Sequence, residues 1–190
     1  MVPSGVAVAE AFADPPHAEL YPEEEALLGR AVKKRRLEFA TARRCAREAL
    51  ATLGLPPSPI LPGPRGAPCW PAGVVGSITH CAGYRAAALA RVRDMAAIGV
   101  DAEPDEPLPE GVREAIARPE ELAMLTTLSA AEPGVSWDKL LFSAKESVYK
   151  TWFPLTHRWL DSWCHLRNDE REFTVASILA VRPASAAAAP

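Results

Sequence analysis

The segment I-G-V-D-A-E-P, residues 98–104, ends an apolar stretch and carries two carboxylates two positions apart, Asp101 and Glu103. We predict a buried strand over residues 96–101, and in an extended backbone residues i and i+2 face the same way. Two carboxylates that face one point repel each other, and a bound cation relieves that repulsion. Because no His or Cys accompanies them, these oxygen ligands favour Mg²⁺ over zinc. A solvated acidic loop is the alternative.

The segment W-D-K-L-L-F-S-A-K-E-S-V-Y-K, residues 137–150, predicts a helix from about Ser136 to Phe153 with Ser136 as its N-cap. Its apolar stripe consists of Trp137, Leu140, Leu141, Ala144, Val148 and Trp152. The opposite face carries Lys139, Ser143, Glu146 and Lys150. A surface ion pair between Glu146 and Lys150 is one interpretation of this face. If Glu146 instead meets the two carboxylates of residues 98–104, three carboxylates and nearby lysines suit a metal ion with phosphates.

Two further segments carry groups that bind anions. In G-S-I-T-H-C, residues 76–81, hydroxyls and His80 end a predicted strand before a turn, which indicates an anion site or a structural histidine. The basic run at residues 33–47 lies in a helix predicted over 23–53, in one piece or two. There Arg36, Arg43 and Arg47 form a stripe, and Arg35 points nearer the core. The basic run is a solvated face, a nucleic-acid patch or a phosphate clamp.

Further elements follow from periodicity and turn residues. We predict a strand over 2–12, a proline-rich loop over 56–71 and strands over 73–79 and 84–92. A turn at Arg93 and Asp94 would join the last of these to residues 96–101 as a hairpin. An exposed loop at 102–110, a helix pair over 111–128 broken near Pro119, a strand at 173–181 and a low-complexity tail at 183–190 complete the chain.

Composition limits the class of protein. The chain has 190 residues, of which 48% are hydrophobic and 24% charged, so it is globular, with one domain or two small ones. We divide it into two α+β halves, 1–101 and 102–190. A net charge of −3 and the absence of stacking aromatics in the basic run argue against nucleic acid. Four widely spaced cysteines, no membrane-length apolar run and no signal-peptide pattern predict a soluble cytoplasmic protein.

In this order, the motifs resemble those of the Sfp-type 4′-phosphopantetheinyl transferases. The segments that carry the resemblance are R-R-L-E-F with Arg43 downstream, P-C-W-P-A-G-V-V-G-S-I-T-H-C-A-G-Y, I-G-V-D-A-E-P and W-D-K-L-L-F-S-A-K-E-S-V-Y-K-T-W-F-P-L-T. The resemblance implies an α+β fold of two similar α/β half-domains in one chain, with the active site in the cleft between them. It also implies a monomer that binds neither nucleic acid nor membrane.

The family moves the 4′-phosphopantetheine arm of coenzyme A to a serine of an acyl or peptidyl carrier protein and releases adenosine 3′,5′-bisphosphate. Its members activate fatty-acid, polyketide or nonribosomal-peptide synthases. A coenzyme A or nucleotide-binding module without activity is the alternative on the same fold, but the motifs retain every metal ligand of the family. The carrier protein would dock near residues 111–128, where Met124, Leu125 and Leu128 are candidates.

By resemblance, three carboxylates match the Mg²⁺ ligands of the family, namely Asp101, Glu103 and Glu146. Glu146, or a water held by the metal, would deprotonate the carrier serine. Lys150 matches the lysine that contacts the pyrophosphate and protonates the leaving group, and Lys145 matches a second lysine on the phosphate side. We therefore expect the catalytic residues to be Asp101, Glu146 and Lys150.

The remaining matches lie at the nucleotide end of coenzyme A. His80, with Thr79 or Ser77, matches the contact to the nucleotide phosphates, and Arg35 and Arg43 match basic residues at the 3′-phosphate. Close relatives carry a lysine in the loop before P-C-W, where this chain has Pro62, and Arg65 is the candidate to replace that charge. Relatives also continue into a further pair of strands, whereas here residues 173–181 run into the alanine-rich tail.

Overall fold

The computed structural model describes residues 2–17 and 19–157. The strand predicted at 173–181 and the tail at 183–190 lie outside the described residues. The strands are β1 (Val6–Ala11), β2 (Leu61–Pro62), β3 (Pro68–Cys69), β4 (Val74–Cys81) and β5 (Tyr84–Arg91). The helices are α1 (Pro22–Ala26), α2 (Lys33–Thr52), α3 (Val112–Ile116), α4 (Pro119–Ala131) and α5 (Trp137–Thr156). Helix and strand are thus mixed along the chain, as the sequence predicts.

A three-stranded antiparallel sheet with the order β1-β5-β4 organises the described residues. Strands β4 and β5 form a hairpin whose turn contains Ala82 and Gly83, and Gly83 has a φ of +76° that glycine adopts without strain. The six central residues of β5 are all buried. A central strand covered on both faces loses the alternation of polar and apolar residues, which explains its run of alanines.

Each face of the sheet is covered by a different part of the chain. Helix α2 packs on one face, where the core contains Cys45, Ala46, Ala49, Leu50, Ala87 and Leu89. The other face buries Ala88 and Ala90 against Ile98, with Met95 and Val100 alongside. The small side chains of α2 and β5 allow their backbones to approach closely. The chain after β5 therefore returns across the sheet and brings residues 98–104 to its surface.

The predicted strand at 96–101 is wrong, because these residues make no ladder hydrogen bonds. The turn near Arg93 is present, but no hairpin with β5 follows it. Both edges of β5 are already occupied, by β1 and by β4, so a third partner has no free backbone groups there. The segment instead contacts β4 through side chains: Ser77 Oγ donates to the Val100 carbonyl oxygen at 3.4 Å, and Thr79 Oγ1 accepts from the Ala102 N–H at 2.9 Å.

The helices agree with the periodicity of the sequence. The region 23–53 forms two pieces, α1 and α2, and the region 111–128 contains two helices, the second of which begins at Pro119. The predicted α5 is confirmed and ends at Thr156. Ser136 is its N-cap residue, but its side chain makes no capping hydrogen bond. The proline-rich loop contains the short β2–β3 pair, where no regular structure is predicted.

A buried carboxylate joins α1, α2 and the loop that follows α2. Glu24 is fully buried, and its two oxygens accept from Arg47 Nη1 at 3.0 and 3.1 Å. The same carboxylate accepts from the backbone N–H groups of Tyr21 at 3.0 Å and Ile60 at 2.8 Å. Every oxygen of this buried acid is thus hydrogen-bonded, as a structural role requires.

None of the helices in the described part of the chain is long and apolar enough to cross a membrane.

Candidate functional site

The candidate site lies where the segment after β5 runs along α5. Gly99 packs directly on the helix backbone: a Cβ at this position would lie 1.9 Å from the Ser147 carbonyl oxygen and 2.3 Å from Thr151 Oγ1. No side chain fits in that space, so glycine is required for this close approach. The I-G-V-D-A-E-P segment is therefore placed against the polar face of α5, with Asp101 and Glu103 following the contact.

Two hydrogen bonds between a backbone N–H and a side-chain carboxylate continue the attachment toward the start of α5. Asp105 Oδ1 accepts from the Ser136 N–H at 2.9 Å, and Asp138 Oδ2 accepts from the Leu108 N–H at 3.0 Å. The Asp105 carboxylate thereby satisfies the Ser136 N–H, one of the N–H groups that a helix leaves unpaired at its N-terminus. Residues 99–108 thus run antiparallel to α5 along most of its length.

Asp101 is largely enclosed, with its side chain 8% exposed, against 28% for Glu103. Its Oδ1 accepts from Lys150 Nζ at 2.7 Å and lies 3.5 Å from Thr79 Oγ1. Its Oδ2 is buried and has no hydrogen-bond partner among the described residues. A buried carboxylate oxygen without a donor is costly, and such atoms are typical of sites that bind a ligand or ion.

Lys150 connects three parts of the site. Besides Asp101, its ammonium group donates to the carbonyl oxygens of Val100 at 3.2 Å and Ile78 at 3.5 Å. An ammonium has three hydrogens, and these three acceptors use all of them. Lys150 therefore joins β4, the acidic segment and α5 at one point. Its hydrogen bonds go to these elements and are not those of a simple surface ion pair with Glu146.

The three predicted metal ligands share one electrostatic environment. Burial raises the pKa of Glu146 above its ordinary value of 4.5, and the charges of Asp101 and Glu103 raise it further, while Lys150 lowers it. Glu103 in turn has Lys139 Nζ 3.7 Å from its Oε2. A carboxyl group whose pKa is raised in this way holds a proton more readily than a free one, as a general base requires.

In residues 2–17 and 19–157, no three or more His, Cys, Asp or Glu side chains form a group that could hold a metal ion as they stand. Lysines instead balance two of the carboxylates. The donor set nevertheless fits a hard divalent cation, because all three groups supply carboxylate oxygens and Asp101 Oδ2 is buried without a donor.

His80 and Arg35, which the sequence assigns to phosphate, contact each other across 45 positions of the chain. Arg35 Nη1 lies 2.8 Å from His80 Nε2. Burial lowers the pKa of His80, and the positive charge of Arg35 lowers it further, so the imidazole is neutral and Nε2 accepts this hydrogen bond. Arg35 is exposed, so the predicted position nearer the core is wrong, but the partner that such an arginine needs is present.

The hydroxyls of Ser77 and Thr79 are both buried. They are used in the contacts with residues 100–102 described above and so position the acidic segment.

The other arginines of α2 divide into two groups. Arg36 pairs with Glu25, and Arg47 is held by the buried Glu24, so both have structural partners. The Arg43 guanidinium lies over the Phe39 ring at 3.2 Å from its centroid. Burial lowers the pKa of Arg43 to about 10, so the group remains charged at neutral pH. Its Nε is buried and unpartnered among the described residues.

The two remaining predicted phosphate contacts are Lys145 and Arg65. Lys145 Nζ donates to Glu121 Oε2 and to the Ile116 carbonyl oxygen, both at 2.6 Å, and so joins α5 to the α3–α4 region. Arg65 is exposed in the turn between β2 and β3, where its φ is +55°. The structure thus brings Asp101, Lys150 and Thr79 into contact, places Glu146 within electrostatic range of Asp101 and Glu103, and gives Lys145 a different partner.

Sequence reasoning assigned no role to Gly99, Asp105, Asp138 or Lys139. Their contacts join residues about 30 or more positions apart, which no local pattern reveals. For Lys139 one signal was present, because it shares a helix face with Glu146 and Lys150.

Comparison with known proteins agrees with the motifs. Residues 23–90 match the family model of the 4′-phosphopantetheinyl transferase N-terminal domain, and residues 97–188 match that of the 4′-phosphopantetheinyl transferase superfamily. The chain is 56% identical to the 4′-phosphopantetheinyl transferase Svp of Streptomyces mobaraensis over 164 residues, which cover 85% of this chain and 67% of Svp.

Two further relatives give the same result. PptT of Mycobacterium tuberculosis is 54% identical over 156 residues, which cover 82% of this chain and 67% of PptT. Npt of Nocardia iowensis is 51% identical over 160 residues, which cover 84% of this chain and 71% of Npt. Both are named 4′-phosphopantetheinyl transferases.

The mixed helix and strand content and the acidic, lysine-containing site thus agree with family models and relatives that all carry the same description. The chain belongs to the 4′-phosphopantetheinyl transferase superfamily and is an enzyme of this type, which confirms the resemblance.

Proposed function

We propose that the protein transfers 4′-phosphopantetheine from coenzyme A to a serine of an acyl or peptidyl carrier protein, in the presence of Mg²⁺, and releases adenosine 3′,5′-bisphosphate. The observation that carries this proposal is the contact of Asp101 with Lys150, where one buried Asp101 oxygen has no donor and Glu103 and Glu146 lie within electrostatic range. Relatives named as 4′-phosphopantetheinyl transferases support the reaction class.

Asp101, Glu103 and Glu146 are the residues that would hold Mg²⁺. The ion supplies positive charge at the pyrophosphate, which stabilises the charge that develops during phosphoryl transfer. Asp101 is fixed for this role by its contact with Lys150, since both groups are largely buried and their orientation is set before substrate arrives.

Glu146 is the candidate general base for the carrier serine. Burial and the charges of Asp101 and Glu103 raise its pKa, which favours acceptance of a proton, and a water held by the metal is the alternative base. Lys150 is the candidate donor to the leaving pyrophosphate oxygen, because its ammonium is the cation nearest to Asp101. Lys145 would have to leave Glu121 to reach a phosphate, so we assign it the smaller part.

The nucleotide end of coenzyme A would lie toward α2. His80 and Arg35 already form a pair, and a neutral His80 leaves the guanidinium charge of Arg35 available to a phosphate. Arg43 offers a second guanidinium, which stacks on Phe39 and keeps an unpartnered Nε. The forked geometry of arginine suits a terminal phosphate such as the 3′-phosphate. Arg65 remains the candidate for the loop contact.

The carrier protein would dock near residues 111–128. Met124 is 46% exposed, whereas Leu125 is buried and is therefore excluded from the predicted docking patch. Carrier domains are acidic around the modified serine, so an apolar contact at Met124 beside exposed arginines suits them. We further propose a cytoplasmic monomer in which the site lies between the halves 1–101 and 102–190.

Intact-mass spectrometry of an apo carrier protein tests the reaction. The carrier protein is incubated with this protein, coenzyme A and Mg²⁺, and a parallel sample contains EDTA. We expect the carrier protein to gain the mass of one phosphopantetheine group, and we expect EDTA to abolish the gain. No gain on acyl and peptidyl carriers, with coenzyme A binding intact, would favour a binding module without activity.

A further inference from the structure

Lys139 has no part in the reaction described above, yet it lies at the acidic segment. Its Nζ is 3.7 Å from Glu103 Oε2, and the two side chains are 17% and 28% exposed. An ion pair shielded from water to this extent is screened less by salt than a pair on the open surface. Lys139 is in the first turn of α5, and Lys150 follows about three turns later on the same face. Two of the three carboxylates are thus balanced by lysines of one helix.

The backbone around Glu103 is fixed without the help of Lys139. On one side the Ala102 N–H donates to Thr79 Oγ1, and on the other the Asp105 carboxylate accepts from the Ser136 N–H, each at 2.9 Å. Because Ala102 and Asp105, on either side of Glu103, are held by other groups, we expect the segment to stay in place when the Lys139 side chain is lost. The effect of Lys139 on Glu103 is therefore chiefly that of its charge.

We propose that Lys139 is an internal counterion that competes with the divalent cation for Glu103 and so sets the metal affinity of the site. A cation that binds Glu103 must displace the ammonium group or tolerate its repulsion at short distance, and either weakens binding. The inference rests on the metal site of the proposed function. It has the consequence that the bare cation binds weakly, so the phosphates of the substrate supply part of the charge that retains it.

Titration with Mn²⁺ in the absence of coenzyme A tests this, with free Mn²⁺ measured by electron paramagnetic resonance. For Lys139→Met we expect a dissociation constant lower than that of the wild type by roughly three- to tenfold, the effect of removing one partly shielded charge. Lys139→Gln should behave in the same way and serves if the methionine variant folds poorly. Lys139→Arg, which keeps the charge, should restore the wild-type constant.

Two controls separate this inference from the metal site itself. Lys34→Met removes one positive charge from the exposed start of α2 and should leave Mn²⁺ binding unchanged. Asp101→Asn should abolish binding at the site. If Asp101→Asn abolishes binding but both neutral variants of Lys139 bind Mn²⁺ as the wild type does, or more weakly, the counterion role is wrong and the metal site stands. If Asp101→Asn binds Mn²⁺ like the wild type, the metal site and the inference both fail.

Discussion

Two buried carboxylates, Glu24 beside α2 and Asp101 at the candidate site, differ in how their oxygens are occupied. Both oxygens of Glu24 accept from Arg47, and two backbone N–H groups complete the set. Asp101 has a lysine on Oδ1, but its Oδ2 is buried without a donor among the described residues. The first arrangement holds the fold together, and the second leaves one coordination position available.

The unpaired oxygen of Asp101 lowers the stability of the metal-free fold, whereas Glu24 has no such unpaired oxygen. A buried polar atom without a hydrogen bond is unfavourable by about 1–3 kcal/mol, so it persists where a ligand satisfies it. Removal of a satisfied carboxylate should therefore reduce stability, whereas removal of the unsatisfied one should reduce activity. The predictions below test that division.

The largest effect is expected for Asp101→Asn. The variant keeps the shape and an acceptor for Lys150 but loses the charge that would hold the metal ion. We expect the rate of phosphopantetheine transfer to fall by at least about 100-fold, because electrostatic stabilisation by a metal contributes several kcal/mol. Mass spectrometry of the carrier protein measures the rate, and thermal unfolding should show a melting temperature no lower than that of the wild type. Wild-type turnover by this variant would refute the assignment.

Glu24→Gln should show the reverse. Neutralising Glu24 leaves the Arg47 guanidinium without its buried counterion, a change that destabilises proteins by about 3 kcal/mol or more. Urea denaturation measures the loss, and the folded fraction should transfer phosphopantetheine at the wild-type rate. A variant of full stability and low activity would show that Glu24 acts in the site rather than in the fold.

Arg43→Ala should have an intermediate effect, chiefly on substrate binding. Loss of a charge-assisted contact to phosphate should raise the KM for coenzyme A by roughly tenfold and leave kcat nearly unchanged. The matched control is Arg36→Ala, since Arg36 already pairs with Glu25. Dephospho-coenzyme A lacks the 3′-phosphate, so its KM should be the same for Arg43→Ala and the wild type. If the variant still prefers coenzyme A as strongly as before, Arg43 does not bind that phosphate.

The smallest effect is expected on the pH dependence of stability through Glu146. Its pKa is raised in the folded protein, so the folded state binds the proton more tightly than the unfolded state does. The stability from this group is therefore present below the ordinary pKa of 4.5 and is lost as the pH rises through the raised value. Urea denaturation without metal should show that Glu146→Gln lacks this loss. An equal pH dependence in both proteins would contradict the burial of Glu146.

Local patterns predicted the helices and the β4–β5 strands because their residues repeat at the period of the element. The predicted strand at 96–101 was wrong for a reason that no local pattern contains. Strand β1 pairs with the edge of β5 that the predicted hairpin would have used. The prediction that Asp101 and Glu103 face one point stays a prediction, although each of them pairs with a lysine of α5. The contact of Gly99 with the α5 backbone places the segment against the helix, and no local pattern predicts it.

Side-chain partners far apart in sequence were the least predictable. The fully buried Glu24 went unnoticed because its partner Arg47 is 23 positions away. Arg35 was placed near the core, and its contact with His80 was not foreseen, because a helix pattern gives the face of a residue but not its neighbour. Lys145 was assigned to phosphate, and its pairing with Glu121 depends on how α4 packs on α5.

The most direct test of the central claim is the coupling between Mg²⁺ and coenzyme A, measured by isothermal titration calorimetry. Coenzyme A is titrated into the wild type and into Asp101→Asn, each with and without Mg²⁺. If the unpartnered oxygen of Asp101 helps to hold a cation at the pyrophosphate, Mg²⁺ should tighten coenzyme A binding to the wild type by about tenfold or more and leave the variant unaffected. The same tightening in both proteins would contradict the account.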